Sequence, residues 1–165
     1  MKKLIVLLIL VTPFIAFGQS MPYTATFSSN FKLDSKYVEK VLQAWKSFED
    51  NKLDPADPVI ADTIHAEMAD GSKINGKQAF FDAVKQLRNS ISDLKVSMDA
   101  FMGVKSVDKN ADFVLIWAVN SFTRDGQKIS QDIHQVWGFN KAGQVDFFKD
   151  FSGGNSMGTA PAAQK

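Results

Sequence analysis

His134 and Asp150 are the two residues whose types and spacing could move a proton. They lie in two apolar segments joined by a turn at residues 140–143. A three-residue loop with glycine in the left-handed region suits this turn and pairs Asn140 with Gln144. Counting outward in an antiparallel hairpin places His134 opposite Asp150. The carboxylate would fix the imidazole tautomer and raise its basicity, which allows proton transfer near neutral pH.

The same count predicts which side chains share a face of the sheet. It pairs Gln135 with Lys149, Trp137 with Phe147 and Phe139 with Val145. The preceding two-residue turn, Asp125-Gly126, pairs Arg124 with Gln127, Trp117 with His134 and Ile116 with Gln135. Successive side chains of a strand point to opposite faces, so His134 and Gln135 are separated. The His134 and Asp150 pair is therefore either catalytic or a satisfied cross-strand contact beside Trp117.

The face that carries Gln135 is mainly apolar with a few polar groups, which is typical of a small-ligand pocket. The candidate ligand-binding residues are Gln135, Asn120 and Lys149 as polar contacts, and Trp137, Trp45 and Met68 as pocket or core walls. Alternatively, the amides satisfy each other and the Lys149 ammonium group reaches solvent at the rim.

His65 and Glu67 lie two residues apart, on one side of a predicted strand. A zinc site needs further ligands, and no close cluster of histidines or carboxylates supplies them. We therefore predict a surface pair and no metal site. A glycine-rich nucleotide-binding loop between a strand and a helix is also missing from the sequence, so we predict no cofactor.

The first 18 residues resemble a secretory signal peptide. Two lysines precede an apolar run at residues 4–17, and small residues allow cleavage before Gln19. The run is shorter than the roughly 20 residues that span a bilayer, so cleavage is favoured over retention as an anchor. We predict an exported protein, periplasmic or extracellular, with no membrane contact after cleavage. The sequence has no cysteine, which excludes a disulfide framework.

Composition predicts one globular domain without a nucleic-acid partner. The chain has 165 residues, of which 45% are apolar, and a formal charge of +1 that becomes −1 without Lys2 and Lys3. Basic and acidic residues are interspersed, so no basic patch indicates nucleic-acid binding. We predict a flexible arm at residues 19–34, the domain at 35–152 and a disordered tail at 153–165.

Apolar spacing predicts three helices followed by a sheet. The first helix covers residues 35–50, Asp54-Pro55 starts a short second helix to about Asp62, and a third follows Gly76. Short strands are expected at residues 63–69 and 72–74, and a four-stranded antiparallel meander from Asp93 onward. Both faces of this sheet carry apolar residues. Helices can cover one face, so the other would pack against a second copy, or the sheet would curl over a ligand.

This order of elements resembles the nuclear transport factor 2-like superfamily, and its SnoaL-like branch in particular. The motifs that carry the resemblance are Trp45, Ile60-Ala61-Asp62, Asn75-Gly76-Lys77, His134, Trp137 and Asp150. The resemblance covers about residues 35–152. It implies an α+β fold, a cone-shaped half barrel whose curved, mostly antiparallel sheet wraps around three N-terminal helices. An apolar pocket and a homodimer formed through the sheet are part of this expectation.

The resemblance leaves the activity open, because members include cyclases, isomerases, dehydratases, hydrolases and non-enzymatic binding domains. SnoaL-like cyclases imply Asp150 as a general base beside His134. The acid-base positions of ketosteroid isomerases carry Met68, Gln135 and either Ala44 or Trp45 here, so the resemblance argues against steroid-type isomerisation.

The predicted function is an exported domain that binds a small apolar or aromatic molecule in its cone. Two alternatives stay open. One is an enzyme of cyclase, isomerase or hydrolase type that uses His134 and Asp150 for proton transfer. The other is a non-catalytic dimerisation module.

Overall fold

The computed structural model describes residues 30–53 and 58–153. In this part of the chain it contains β1 (Phe31–Leu33), α1 (Val38–Glu49), β2 (Ile60–Glu67), β3 (Lys73–Asn75), α2 (Lys77–Asn89), β4 (Ser92–Ser106), β5 (Ala111–Arg124), β6 (Gln127–Phe139) and β7 (Val145–Asp150). The predicted α+β class is confirmed. Within the described ranges, no helix is long and apolar enough to cross a membrane.

The strands form one sheet in the spatial order β1-β4-β5-β6-β7-β2-β3. Neighbouring strands are antiparallel, except that β2 and β7 are parallel. The predicted meander is formed by β4 to β7. The last strand, β7, therefore lies between β6 and the much earlier strand β2.

Both helices pack against one side of the curved, unclosed sheet, and the main core lies between them and the sheet. α1 buries Val41 and Trp45, which are four residues apart and so share one face of the helix. α2 buries the neighbouring pair Phe80 and Phe81. Opposite them, Ile116 of β5 is fully buried. The apolar helix stripes seen in the sequence are the ones that form the core.

The predicted short second helix is wrong where the structure describes it. Strand β2 already begins at Ile60, although the helix was expected to continue to Asp62. Ile60 and Ala61 are buried, and Ile60 pairs with Val145 of β7. Burial in the sheet therefore overrides the local helix preference. The helix-start signal itself lies at residues 54–57, outside the described residues, so two of the three expected helices are observed.

The remaining predicted helices and strands are observed with shifted bounds. One segment of the expected flexible arm is instead a strand. Residues 31–33 form β1, which pairs with β4 at residues 104–106. The predicted signal peptide, the arm up to residue 29 and the tail from residue 154 lie outside the described residues. Export therefore stays a prediction.

The hairpin turns on either side of β6 are as predicted. The Asn140 N–H donates to the Gln144 carbonyl oxygen at 2.9 Å, and Gly143 has a φ of 76°. Between β5 and β6, the predicted pairs Arg124 with Gln127, Trp117 with His134 and Ile116 with Gln135 are all formed. The sequence-based register is therefore correct for this strand pair.

The register of β6 with β7 departs from the prediction just after the turn. Phe139 pairs with Val145 as expected, but the next pair is Gly138 with Phe147. Asp146 is the extra residue, so β7 contains a β-bulge at this point. Burial at the bulge raises the pKa of the Asp146 carboxyl group.

Beyond the bulge, all pairs are shifted by one residue. Trp137 lies opposite Phe148, Val136 opposite Lys149 and Gln135 opposite Asp150. The predicted pairs His134 with Asp150, Gln135 with Lys149 and Trp137 with Phe147 are therefore wrong. Because side chains alternate between faces, the shift moves Asp150 to the face of Gln135.

Gly138 permits this bulge. A Cβ atom at residue 138 would lie 3.0 Å from Cβ of Phe147 and 3.2 Å from the ring of Phe113. A side chain here would push both aromatic residues away, whereas glycine allows their close approach. Glycine inside a strand often marks a bulge, and a count from the turn alone does not include that signal.

Gly103 of β4 fixes where the chain enters α1. A Cβ atom at residue 103 would overlap the carbonyl oxygen of Asp34 and lie 3.0 Å from a methyl carbon of Val38. The Asp34 N–H also donates to the Gly103 carbonyl oxygen at 2.9 Å. The backbone segment before α1 therefore rests directly on the sheet.

Replacement of Gly103 by alanine should lower the free energy of unfolding by about 1–3 kcal/mol, because the overlapped atom is backbone and cannot rotate away. Urea unfolding followed by tryptophan fluorescence measures this change. Gly153→Ala is the control, since a Cβ there has no neighbour within 4 Å. Equal stability of Gly103→Ala and the wild-type protein would contradict the close approach.

Candidate functional site

The two faces of the sheet have different surroundings. The inner face points toward α1 and α2, and it carries the even-numbered residues from Val114 to Arg124 of β5, the odd-numbered residues from Gln131 to Trp137 of β6, and Phe148 and Asp150 of β7. The outer face carries the alternating residues, among them Trp117, His134 and Lys149. The inner face is therefore the wall of the cone.

A cavity of about 400 Å³ lies between the inner face and the two helices. Its walls are mainly aromatic and aliphatic, with Trp45, Phe80, Phe81, Met68, Trp137 and Phe148 among them. A few polar side chains interrupt these walls. Both the volume and the composition are typical of small-molecule pockets, which measure roughly 300–1,000 Å³.

Five of the six predicted ligand-binding residues line this cavity, namely Trp45, Met68, Asn120, Gln135 and Trp137. The sixth, Lys149, lies on the outer face. Its ammonium group forms an ion pair with the Glu67 carboxylate at 2.7 Å, which lowers the pKa of Glu67. The bulge in β7 explains this difference, because the predicted register had placed Lys149 on the face of Gln135.

Gln135 is held in one orientation by its neighbour on the same face. The indole N–H of Trp137 donates to Oε1 of Gln135 at 3.2 Å, and both side chains are buried. An indole N–H can only donate, so the Gln135 oxygen must face Trp137. The Gln135 amide nitrogen, which has no side-chain partner in the described part of the chain, is left as a donor at the cavity.

Three other cavity residues contain buried polar atoms without a partner among the described residues: Nε1 of Trp45, Oδ1 of Asn120 and Nε of Arg124. Trp45 and Asn120 are each 6% exposed. A buried polar group without a hydrogen bond costs about 1–3 kcal/mol, so native proteins keep few of them. The cavity thus offers unused donors and an unused acceptor within apolar walls.

Asp150 is a cavity residue at the end of β7. Its Oδ1 accepts hydrogen bonds from the backbone N–H and the hydroxyl group of Ser152. These bonds hold one carboxylate oxygen in a local turn. The carboxylate therefore faces the cavity beside Gln135 rather than a histidine.

His134 lies on the outer face, away from the cavity. Its ring stacks between those of Trp117 and Phe151, with centroid distances of 4.8 Å and 5.4 Å. Its Nε2 is buried and lacks a hydrogen-bond partner in the described ranges. The structure therefore does not bring the predicted catalytic pair, His134 and Asp150, together.

His65 and Glu67 form the partly exposed pair that the sequence predicted. Nε2 of His65 lies 3.6 Å from the Glu67 carboxylate, and Nδ1 lies 2.7 Å from Oδ1 of Asn75. Among residues 30–53 and 58–153, no group of three or more His, Cys, Asp or Glu side chains could hold a metal ion.

Arg88 of α2 joins the two helices above the cavity. Its guanidinium group donates to the carbonyl oxygens of Phe48 at 2.8 Å, Glu49 at 3.0 Å and Ile91 at 3.2 Å. Two of these carbonyls belong to the last residues of α1, where the regular helical hydrogen-bond pattern ends. The Glu49 side chain in turn accepts the Val96 N–H of β4 at 3.1 Å. These bonds tie both helices to the sheet and so keep the cavity open.

Sequence reasoning misplaced Asp150 and did not single out Arg124. For Asp150, the glycine at residue 138 was the available signal of a bulge. For Arg124, the correct pairing with Gln127 already implied a place on the inner face. The positions that the resemblance relates to isomerase acid-base residues, Met68, Gln135, Ala44 and Trp45, do line the cavity.

Two substitutions test the difference between a buried amide that has a hydrogen-bond partner, Gln135, and one whose oxygen has none, Asn120. Asn120→Leu should raise the free energy of unfolding by about 1 kcal/mol, because it removes a buried acceptor without a partner at similar volume. Gln135→Leu should lower it by about 1–3 kcal/mol, because the Trp137 N–H loses its acceptor. Urea unfolding of both variants tests this difference. Shifts of the same sign would show that the two amides are not distinguished in this way.

Several solved structures share this architecture, although neither a protein-family model nor a curated protein matches the sequence. A putative SnoaL-like polyketide cyclase from Jannaschia sp. CCS1 matches with a TM-score of 0.59 and 14% identity, over 76% of this chain and 90% of that chain. An LEH-like epoxide hydrolase from M. tuberculosis matches with a TM-score of 0.55 and 12% identity, over 69% of this chain and 80% of that chain.

A hypothetical protein with a ketosteroid isomerase-like fold from Catenulispora acidiphila, in complex with trimethylamine, matches with a TM-score of 0.52 and 14% identity. The match covers 67% of this chain and 83% of that chain. At such low identity, the similarity establishes the fold, whereas any ligand or reaction must be argued from the residues of the site. The chain therefore has the cone fold of the nuclear transport factor 2-like superfamily, as SnoaL-like proteins do.

Proposed function

We propose that this protein binds a small, largely apolar or aromatic molecule in the cavity of its cone. The observation that carries the proposal is an apolar cavity of about 400 Å³ whose walls contain buried polar atoms without partners among the described residues. A core that only needed to be stable would be filled by apolar side chains. Unused polar groups at a cavity are instead suited to orienting a ligand.

The free polar atoms limit the chemistry of the ligand. The indole N–H of Trp45 and the amide nitrogen of Gln135 can donate, and Oδ1 of Asn120 can accept. A ligand that satisfies all three carries an apolar body with at least one acceptor and one donor. The rings of Trp137 and Phe148 meet edge to face in the cavity wall, with centroids 5.0 Å apart. Aromatic rings favour such contacts with one another, so this wall favours an aromatic body.

The dye N-phenyl-1-naphthylamine tests the proposal, because it is neutral and aromatic and its fluorescence rises in apolar surroundings. We expect saturable binding of one dye per chain. Ala44→Phe, which places a ring in the cavity from α1, should weaken this binding about tenfold or more, since the two cannot occupy the same space.

Gln43→Phe is the matched control, because it introduces the same side chain at the preceding residue of α1, which is exposed. It should leave dye binding unchanged. Circular dichroism of both variants separates a blocked cavity from an unfolded protein. Equal dye binding by a folded Ala44→Phe variant and the wild-type protein would place the dye outside the cavity and contradict the proposal.

Proton transfer by the pair of His134 and Asp150 is not supported, because the two side chains lie on opposite faces of the sheet. Asp150 alone is positioned to meet a molecule in the cavity. The proposal therefore concerns binding, and it assigns no reaction.

The outer face supports a second proposal, that two copies of the chain pair through their sheets. Phe151 and Met102 are 51% and 40% exposed there, next to the partly buried side chains of Trp117 and Val136. No helix in the described ranges covers this side. A two-fold axis would bring the same apolar residues of both copies together and bury them.

Phe151→Ser should raise the dissociation constant of this dimer about tenfold or more, because a central exposed aromatic side chain would lose its contacts. Analytical ultracentrifugation measures the constant. Phe101→Ser is the control, since Phe101 is 49% exposed and pairs with the inner-face residue Ile116. A wild-type protein that stays monomeric at high concentration would rule out the dimer.

A further inference from the structure

Arg124 supplies the one cationic side chain among the described residues that line the cavity. It ends β5, on the inner face, and its guanidinium carbon lies 5.2 Å from the ring centre of Phe122. Leu87 of α2 and Ile91 lie at the same part of the cavity wall. A positive charge is thus held at the end of the cavity that α2 covers.

Apart from its contact with the Phe122 ring, the guanidinium group of Arg124 has no polar partner in the described part of the chain. Its Nε is buried and has no partner, and its side chain makes no hydrogen bond or ion pair with any described residue. Arg88 shows the contrast, because its three nitrogens bond to three backbone carbonyls. An arginine that is always charged and that carries a rigid fork of donors suits a carboxylate or a similar acidic group.

The nearby carboxylates do not neutralise Arg124. Oδ1 of Asp150 accepts two hydrogen bonds from Ser152, and Oδ1 of Asp70 accepts the Ser72 N–H at 2.8 Å. The Ser72 hydroxyl group and this N–H together lower the pKa of Asp70. Asp150 ends β7 and Asp70 follows β2, and no ion pair joins either carboxylate to Arg124 within the described ranges. Asp125 follows Arg124 in the turn and is exposed, and no ion pair joins the two in the described part of the chain.

Arg124 also borders a shallow groove on the outside of the cavity. This groove is lined by Ala83, Gln86, Leu87, Ser90, Arg124 and Asp125. An acidic group that meets Arg124 here would keep part of its hydration, while the apolar part of the same molecule lies inside. The arrangement avoids the large cost of burying a full ion pair.

We propose that the ligand of the cavity carries an acidic group, such as a carboxylate, and that Arg124 binds this group at the α2 end. The inference rests on the proposed function, since it names the class of molecule that the same cavity takes. Arg124 is then a specificity-determining residue, which selects an apolar acid over a neutral molecule of the same shape.

Two probes with one skeleton test this selection, 4-phenylbutyrate and the neutral 4-phenylbutanamide. Isothermal titration calorimetry with the wild-type protein should show about tenfold tighter binding of the acid, which corresponds to one charge-assisted pair. Added salt should reduce the difference, because the pair is partly exposed. In Arg124→Gln, acid and amide should bind equally.

Lys128→Gln is the matched control, because it removes one positive charge from the same hairpin at an exposed residue opposite Thr123. Lys128→Gln should keep the preference for the acid. Arg124→Lys should keep only part of this preference, because the positive charge remains but the planar set of guanidinium donors is lost.

The outcomes separate the two proposals. If N-phenyl-1-naphthylamine binds in the cavity but the wild-type protein binds acid and amide equally, or if Arg124→Gln keeps the preference, the role of Arg124 is overturned. If neither the dye nor either probe binds, the proposed function fails. Equal loss of the preference in Lys128→Gln and Arg124→Gln would show general charge attraction and would also overturn the assignment.

Discussion

The alternation of side chains along β7 determines which of its functional groups face the cavity. A strand exposes every second residue to the same side, so a single extra residue changes the face of every side chain beyond it. Asp146 is that residue, and Gly138 provides the space that its bulge requires. As a result, Asp150 enters the cone with Gln135, and Lys149 leaves it. The carboxylate of Asp150 and the ring of Phe148 at the cavity are consequences of this one irregularity.

The cavity exists because other contacts hold the helices away from a complete collapse onto the sheet. Arg88 bonds the carbonyls at the end of α1, and the chain at Asp34 rests on the backbone of Gly103. Packing alone would favour closer contact between the large aromatic side chains, since voids lose dispersion energy. The positions of these aromatic side chains are thus set by polar contacts at the helix ends as well as by their own packing.

The sequence predicted much of the fold, because local signals and periodicity carried it. The stripes at Val41, Trp45 and Phe80, the hairpin turns on either side of β6 and the register of β5 with β6 follow directly from such signals. The predicted helix that starts near Asp54 fails at Ile60, because pairing with β7 is a contact between distant parts of the chain. Five wall residues were identified since they lie on β5, β6 and earlier elements. Lys149 and Asp150 were misplaced because they follow the bulge.

The position of β7 between β6 and β2 has a consequence for how the chain acquires its structure. β2 pairs in parallel with a strand that is made about 80 residues later, so the edge of β2 that faces β7 has no partner until Asp150 has been synthesised. Contacts between such distant segments slow folding, because a long loop must close before they form. Until then the aromatic wall at Phe148 is missing, and β2 and β6 both present open edges. The cavity is therefore among the last parts of the protein to form.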